Sequence, residues 1–465
     1  MQSWKCLGFL RYVPSPVMLM SGVFVGFFRR NGFETRQQIA AFLTVVFSGQ
    51  IIYSAFESFK IPFYQRLVTY YGLTDTQFGL LFTALGVAVF FYIPGGWVNN
   101  RFNARSILMV GLAYRCITAL ILIGLTPSLP EGIKFPVMFA ITLSWGVWDA
   151  VFWPAVVKGV VLFSGRDNKG FGLGVLTAFR AGGEATLNGI LIGVMAIAGG
   201  SLIAFKWGMI VYACLTLPMI LLIHRFVPAD PRTEGDASGE DTEAVSGKEA
   251  LAGLLQTLRI PRVWLAGIAG MCVYWVYTTL VYTTPFFVRV YAFDENVAAL
   301  YATVNAILLG LSGGILGGII ADKVFKSSAT TIAITLTLGA GFLVILAFLP
   351  GGSDNSWMAV ATLSAFAFVT MMAKGIQQAP VAELHLPSTM VGSAMSVNSF
   401  MAFACILWAT TLNGAILDAH KDSPSTGFTL IFLLMAGVGL TGALLSAWLE
   451  LLNRRHAKKE ISALS

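Results

Sequence analysis

Long stretches without a single Asp, Glu, Lys or Arg are the feature of this sequence that most constrains its fold. A helix of about 20 apolar residues crosses the hydrocarbon core of a bilayer. Only helices and closed barrels satisfy every backbone polar group there, and the short alternating strands of a barrel are absent. The charge-free stretches are residues 76–100, 185–205, 263–288, 297–321, 327–353 and 424–449. They predict an all-α, polytopic membrane protein.

The composition agrees with a bilayer environment and argues against several other classes of protein. Only 11% of the 465 residues are charged, whereas a soluble domain carries roughly 25%. No basic stripe interleaves with aromatic residues, so no nucleic-acid partner is expected. The five cysteines and four histidines are scattered, which predicts no metal site and no cofactor. The expected partners are a small-molecule substrate and the lipid bilayer, and we expect a monomer.

Hydropathy predicts twelve transmembrane spans. Spans 1 to 12 are residues 38–62, 74–99, 106–128, 134–163, 168–197, 202–226, 260–288, 296–321, 328–350, 356–383, 388–417 and 425–450. Segments on the side of the N-terminus hold 20 Lys and Arg residues, and the opposite loops hold five. Because cytoplasmic loops are enriched in Lys and Arg, we expect both termini in the cytoplasm and a location in the bacterial inner membrane.

A polar, acidic stretch divides the spans into two sets of six and is typical of a flexible linker. The predicted units are a cytoplasmic N-terminal segment (1–37), an N-terminal half (38–227), a cytoplasmic linker (228–258), a C-terminal half (259–452) and a cytoplasmic tail (453–465). The apolar run at residues 12–28 is interpreted as an interfacial segment or as the result of a start codon placed too far upstream, and a signal peptide or a thirteenth span are its alternatives.

A short motif recurs at one offset in the two halves. After span 2 and again after span 8, a glycine is followed by a polar or acidic residue and a basic residue, 222 positions apart. The predicted gating motif comprises Gly96, Asn100, Arg101, Arg105, Gly318, Asp322 and Lys323. We expect its glycines to allow close helix packing, and we interpret the offset as an internal repeat.

This motif resembles the Gly-x-x-x-Asp-Arg-x-x-x-Arg pattern of the major facilitator superfamily, with Asn100 in place of the aspartate. The resemblance covers residues 38–452 and implies the major facilitator fold of twelve transmembrane helices in two six-helix halves. Within the superfamily, the chain resembles the organophosphate:phosphate antiporter and anion:cation symporter branch. That closer resemblance is carried by Trp153-Pro154 with Lys158, by Asp322-Lys323-Val324-Phe325-Lys326, and by Ala382-Glu383-Leu384 with Pro387.

The resemblance also implies a mid-membrane cavity lined chiefly by spans 1, 4, 7 and 10. Charged groups are costly inside a bilayer, so those retained there are functional candidates. The candidate substrate-binding residues are Tyr53, Glu57, Asp149, Arg180, Tyr277, Lys374 and Gln377. Arg180 and Lys374 are the candidate anion contacts. Burial favours a neutral carboxyl group, so Glu57 and Asp149 are also candidates for proton coupling, with a structural salt bridge to another span as the alternative for Asp149.

Several of these charges have a structural alternative. Glu57 and Lys60 are three residues apart, which predicts one helix face and a possible ion pair. Arg180 and Glu184 are four apart and can neutralise each other in the same way. Arg115 in span 3 is expected to be structural.

These observations predict a secondary active transporter of an organic anion, sugar derivative or zwitterion, coupled to protons or ions and working by alternating access. Symport and antiport are both open. The resembling antiporters grip phosphate with two arginines, where this chain has Phe56 and Tyr277, so phosphate-ester exchange by that mechanism is not expected. A multidrug exporter and a transport-inactive membrane sensor are the alternatives. An enzyme is not expected, because no HExxH motif occurs and no set of His and Asp residues clusters in the sequence.

Overall fold

The computed structural model describes residues 26–29, 33–164, 169–228, 257–352, 356–384 and 388–464, and most of these residues are helical. The helices of eight or more residues are Arg36–Ile51, Tyr64–Tyr71, Asp75–Gly86, Ala88–Arg101, Ala104–Gly124, Glu131–Phe163, Lys169–Ile197, Leu202–Cys214, Thr216–Phe226, Pro261–Thr278, Thr283–Tyr291, Glu295–Ile319, Ser328–Phe348, Ser356–Gly375, Ser388–Phe403, Ala409–Ala419 and Pro424–Leu464. Each predicted span coincides with one helix or with several helices separated by short breaks.

The structure supports the predicted fold class more directly than it supports the predicted number of membrane crossings. Within the described parts of the chain, nine helical segments are long and apolar enough to cross a membrane on their own. A tenth is added if Tyr64–Tyr71 and Asp75–Phe91, which meet at an angle of 106°, count as one broken span. The all-α, polytopic class is therefore confirmed, and the number twelve stays a prediction.

Spans 1 and 7 break at corresponding places. A 3-10 helix at Glu57–Phe59 interrupts span 1, and another at Thr279–Tyr282 interrupts span 7. Their first residues are 222 apart, the offset of the gating motif. Because Phe56 has φ −147° and ψ −58°, the backbone before Glu57 is not α-helical. Glu57 and Lys60 stay one 3-10 turn apart, which keeps them on the same side of the chain. The ion pair predicted from their spacing is nevertheless not formed, because Glu57 pairs with Arg115 instead.

The repeat is also visible in how helices cross. A Cβ atom at Gly95 would lie 2.2 Å from the carbonyl oxygen of Ala150, and one at Gly317 would lie 2.4 Å from that of Met372. Gly95 and Gly317 are 222 residues apart, and so are Ala150 and Met372. The crossing of span 2 over span 4 is therefore repeated by the crossing of span 8 over span 10. Gly318, the motif glycine, has open space around its Cβ position. The close packing expected of Gly318 is therefore made by its neighbour.

Substituting alanine for Gly317 is expected to lower stability by about 1–3 kcal/mol, because the new methyl group forces two backbones apart. The same change at Gly318 is the matched control. There we expect no loss, since alanine is preferred over glycine in helices by about 1 kcal/mol. Thermal unfolding of the purified variants in detergent measures both. Equal midpoints for the two variants would contradict the packing described above.

Two extensive helix contacts join the halves among the described residues. Lys169–Ile197 packs on Glu295–Ile319, and Asp75–Gly86 packs on Ala409–Ala419. The last helix, Pro424–Leu464, extends beyond the predicted end of span 12 and includes most of the predicted tail. Most of the predicted linker and of the N-terminal segment, including residues 12–25 of the apolar run, lies outside the described residues.

Candidate functional site

A cavity of about 430 Å³ lies between the halves, within the usual size range of small-molecule sites. Its walls come from spans 1, 2, 4 and 5 on one side and from spans 7 and 11 on the other. The polar and aromatic residues that line it are Gln50, Tyr53, Glu57, Ser58, Lys60, Phe82, Asp149, Trp153, Arg180, Glu184, Tyr274, Tyr277, Thr278, Phe403 and Thr410. Five of the seven predicted substrate-binding residues are in this set, and Lys374 and Gln377 are not.

Both predicted proton-coupling carboxylates contact one buried arginine. The Nη1 atom of Arg115 lies 2.8 Å from Oε1 of Glu57, and its Nη2 lies 3.2 Å and 3.3 Å from the two carboxylate oxygens of Asp149. The Arg115 side chain is 3% exposed and stacks on Trp145, with 4.2 Å from Cζ to the ring centroid. Spans 1, 3 and 4 are thus joined by one cation shared between two carboxylates, and Asp149 forms the inter-span salt bridge given above as its alternative.

Arg180 lies on aromatic rings instead of forming the predicted pair with Glu184. Its Cζ atom is 4.6 Å from the ring centroid of Trp153 and 5.3 Å from that of Tyr53. In the described part of the chain no carboxylate is within ion-pair distance of Arg180, and its buried Nε atom has no hydrogen-bond partner. A guanidinium held on two rings at a cavity wall is available to bind an anion.

Lys60 and Glu184 complete the charged groups on the wall of the N-terminal half. Lys60 Nζ lies 5.9 Å from the ring centroid of Phe82. It interacts electrostatically with both Glu184 and Glu57, without direct ion-pair contact. Their charges therefore act across the cavity at longer range.

Lys374 approaches the cavity from the C-terminal half, behind a wall of aromatic rings. Its Nζ atom lies 4.9 Å from the ring centroid of Tyr274, 5.4 Å from that of Phe403 and 5.7 Å from that of Tyr277. All three rings line the cavity. Among the described residues it forms no ion pair with a carboxylate.

Gln377 is placed differently from the other candidates. It is 2% exposed, and its amide nitrogen donates to the carbonyl oxygen of Gly270 at 2.9 Å. Gln378, beside it, accepts a hydrogen bond from Asn398. The Gln377 amide therefore links span 10 to span 7, and its role in binding stays a prediction.

The gating-motif side chains that the structure describes make local contacts. Arg105 lies 2.7 Å from Nδ1 of His224 and donates to its carbonyl oxygen at 2.9 Å. Asp322 and Lys323 are exposed, in a π-helical turn at Ile320–Phe325. The side chains of Asn100 and Arg101 lie outside the described set. The gating role of the motif remains a prediction.

Sequence reasoning underestimated two kinds of residue. Arg115 was recognised as an intramembrane charge, but its pairing with two spans depends on helix rotation. The aromatic residues that contact these cations, such as Trp153 beside Arg180 and Phe403 beside Lys374, carry no charge. Counting charges alone therefore does not select them. A search for aromatic residues near intramembrane cations could have found them.

A helical bundle with a charged cavity between two repeated halves is the architecture of a membrane transporter for small solutes. The sequence model of the Major Facilitator Superfamily matches residues 46–410. The chain belongs to this superfamily, is a multi-pass membrane protein, and is a secondary transporter.

Relatives agree with this assignment. The "Inner membrane protein YihN" of Escherichia coli (strain K12) is 25% identical over 433 residues, which cover 92% of this chain and 99% of that relative. The "Probable sulfoacetate transporter SauU" of Cupriavidus necator is 23% identical over 286 residues, covering 59% of this chain and 62% of that one. A solved bacterial homolog of the human lysosomal transporter Spinster, described as inward-facing and unoccupied, superposes with a TM-score of 0.72 at 14% identity. It covers 91% of this chain and 98% of that chain, and it supports the fold alone.

Proposed function

We propose that this protein carries a small organic anion across the bacterial inner membrane by alternating access, coupled to proton movement. The observation that carries the proposal is Arg180, a cation on the cavity wall that rests on two aromatic rings and has no carboxylate within ion-pair distance among the described residues. An unpaired charge is costly in a low-dielectric site. A substrate anion compensates it.

The balance of charges around the cavity favours an anion as well. The cations are Lys60, Arg115, Arg180 and Lys374, and the carboxylates are Glu57, Asp149 and Glu184. With all of them ionised, one positive charge is left uncompensated in the described part of the site. A neutral sugar would leave this positive charge uncompensated, whereas a monoanion, or a dianion together with one proton, would neutralise it.

The proposed proton sites are Glu57 and Asp149. Both line the cavity and share Arg115, so protonating either one leaves the other fully paired with the guanidinium. Such a pair can accept a proton without exposing an unpaired charge. This arrangement supports coupling of anion entry to protonation.

Names of relatives support the same substrate class. Sulfoacetate, the substrate in the printed name of SauU, bears a sulfonate and a carboxylate. YihN is named as an inner membrane protein, and the bias of 20 to five in Lys and Arg supports cytoplasmic termini. The seven charges counted above argue against a multidrug exporter, which needs a more apolar cavity.

Thermal stabilisation by ligands tests the proposal. We expect carboxylate and sulfonate compounds to raise the unfolding midpoint of the purified protein, and neutral sugars to leave it unchanged. Arg180→Gln is expected to weaken the anion response at least about 30-fold, because loss of one partner from a buried charged contact costs about 2–5 kcal/mol.

Arg225→Gln is the matched control for this experiment. Arg225 is an exposed arginine of the same half that lies over Phe226, outside the cavity. This variant should keep the full anion response. Stabilisation by neutral sugars alone, or an unchanged anion response in Arg180→Gln, would refute the proposed substrate class.

A further inference from the structure

Two arginines at one end of the bundle reach across from one half to the other. We call this the distal end; it carries the loops between spans 1 and 2, 7 and 8, and 11 and 12. Arg289, from span 7, forms a bidentate pair with Asp75 at the start of span 2, at 2.5 Å and 2.8 Å. Its Nε atom donates to Gln65 at 3.0 Å, and the hydroxyl of Tyr64 donates to the same aspartate at 2.8 Å.

Arg66 makes the reverse connection. It follows span 1, and its Nε atom lies 3.3 Å from Glu295 at the start of span 8. Its Nη2 donates to Asn296 at 3.1 Å, and its Nη1 donates to the carbonyl oxygen of Gly200 at 2.6 Å. The Arg66 side chain is 7% exposed and that of Glu295 is 34% exposed.

The two contacts are related by the internal repeat. Arg66 and Arg289 are 223 residues apart, close to the offset of 222 found for the motif and for the helix crossings. Each arginine precedes an acidic residue in its own half but pairs with the acidic residue at the start of a span in the other half. The two halves are therefore linked by two equivalent ion pairs, one in each direction, as expected for halves related by an internal repeat.

A third contact tightens the Arg289 side. The carboxylate of Asp418, late in span 11, accepts hydrogen bonds from the backbone N–H groups of Asp75 at 3.0 Å and Thr76 at 2.7 Å. The positive N-terminus of one half's helix is therefore capped by the other half. The backbones approach closely here, since a Cβ at Gly414 would lie 2.2 Å from the carbonyl oxygen of Asp75.

Of the ion pairs among described residues, only Arg66–Glu295 and Arg289–Asp75 join the two halves, and both are at the distal end. We propose that Arg66 and Arg289 form a twin lock that keeps the distal end closed and must release on both sides before the cavity opens there. The inference rests on the alternating access of the proposed function. Arg289 is the stronger side, because its pair is bidentate, more buried and reinforced by Asp418.

Distance measurements between spin labels at the distal end test the lock without any substrate. Suitable sites are Glu131→Cys and Lys421→Cys, with the five native cysteines replaced by alanine. Glu131 is 84% exposed and Lys421 is exposed. Lys134, one turn from Glu131, approaches Gly72 in the loop after span 1, and Lys421 follows Asp418.

We expect a single short distance in the otherwise unmodified protein. Arg66→Gln should add a minor population at longer distance, Arg289→Gln a larger one, and the double variant the largest, at least about tenfold above the starting level. The charge-exchanged pair Asp75→Arg with Arg289→Asp should restore the short distance, which a merely structural role for these residues would not predict.

An unchanged distance distribution in a folded double variant would overturn the proposal, as would failure of the exchanged pair to shift the population back. If Arg289→Gln does not fold, Asp75→Asn tests the same contact and keeps the oxygen that accepts from Tyr64. Because no ligand is added, a longer distance with no anion binding would refute the proposed substrate class and leave the lock standing.

Discussion

Replacing Arg115 with leucine is expected to lower the free energy of unfolding by roughly 3–5 kcal/mol, the usual cost of removing one partner from a buried ionic group. The reason is that Glu57 and Asp149 would lose their shared cation at 2.8 Å and 3.2 Å and would face each other as buried carboxylates. Leucine also removes the guanidinium from the Trp145 ring, so the expected loss includes that contact. Denaturant or thermal unfolding in detergent measures it.

The control for this prediction removes all three charges together. Adding Glu57→Gln and Asp149→Asn to Arg115→Leu is expected to recover most of the lost stability, because a neutral group of similar volume often replaces a buried ionic cluster without net cost. If the single Arg115 variant unfolds at the midpoint of the unmodified protein, the shared-cation arrangement is not what holds spans 1, 3 and 4 together.

The second large effect is expected on energy coupling. Glu57→Gln combined with Asp149→Asn should abolish accumulation of the anion driven by a pH gradient, since no carboxylate next to Arg115 is left to take up the proton. Exchange of labelled for unlabelled anion should continue in the folded variant, because Arg180 and the rings of Trp153 and Tyr53 are untouched. Its unfolding midpoint is measured alongside, since Arg115 loses both carboxylate partners. Proteoliposomes loaded with and without unlabelled anion separate the two activities.

Glu131→Gln serves as the comparison for that experiment. Glu131 is an exposed acid that pairs with Lys134 outside the cavity, and its variant should keep accumulation. Full pH-driven uptake by the Glu57 and Asp149 double variant would exclude these two residues as the proton sites.

Much of the fold could be predicted from local patterns. Charge-free stretches indicated where helices lie, and every predicted span coincides with helical structure. The offset of 222 was visible in the motif, although the glycine in close contact is Gly317 and not Gly318. Helical spacing did not predict the partner of Glu57, because the carboxylate pairs with Arg115 of span 3 and not with Lys60 of its own span.

For the cavity, the sequence by itself determined which charges lie inside membrane-spanning segments, because hydropathy along the chain locates those segments and a charge within one is costly. Only the tertiary structure decided which partner each charge takes: Glu57 and Asp149 share Arg115, Arg180 lies on rings, and Arg66 and Arg289 cross between the halves. Those choices depend on the rotation and breaks of helices that are distant in the sequence. Rotation is set by the packing of many side chains at once, and no local pattern records it.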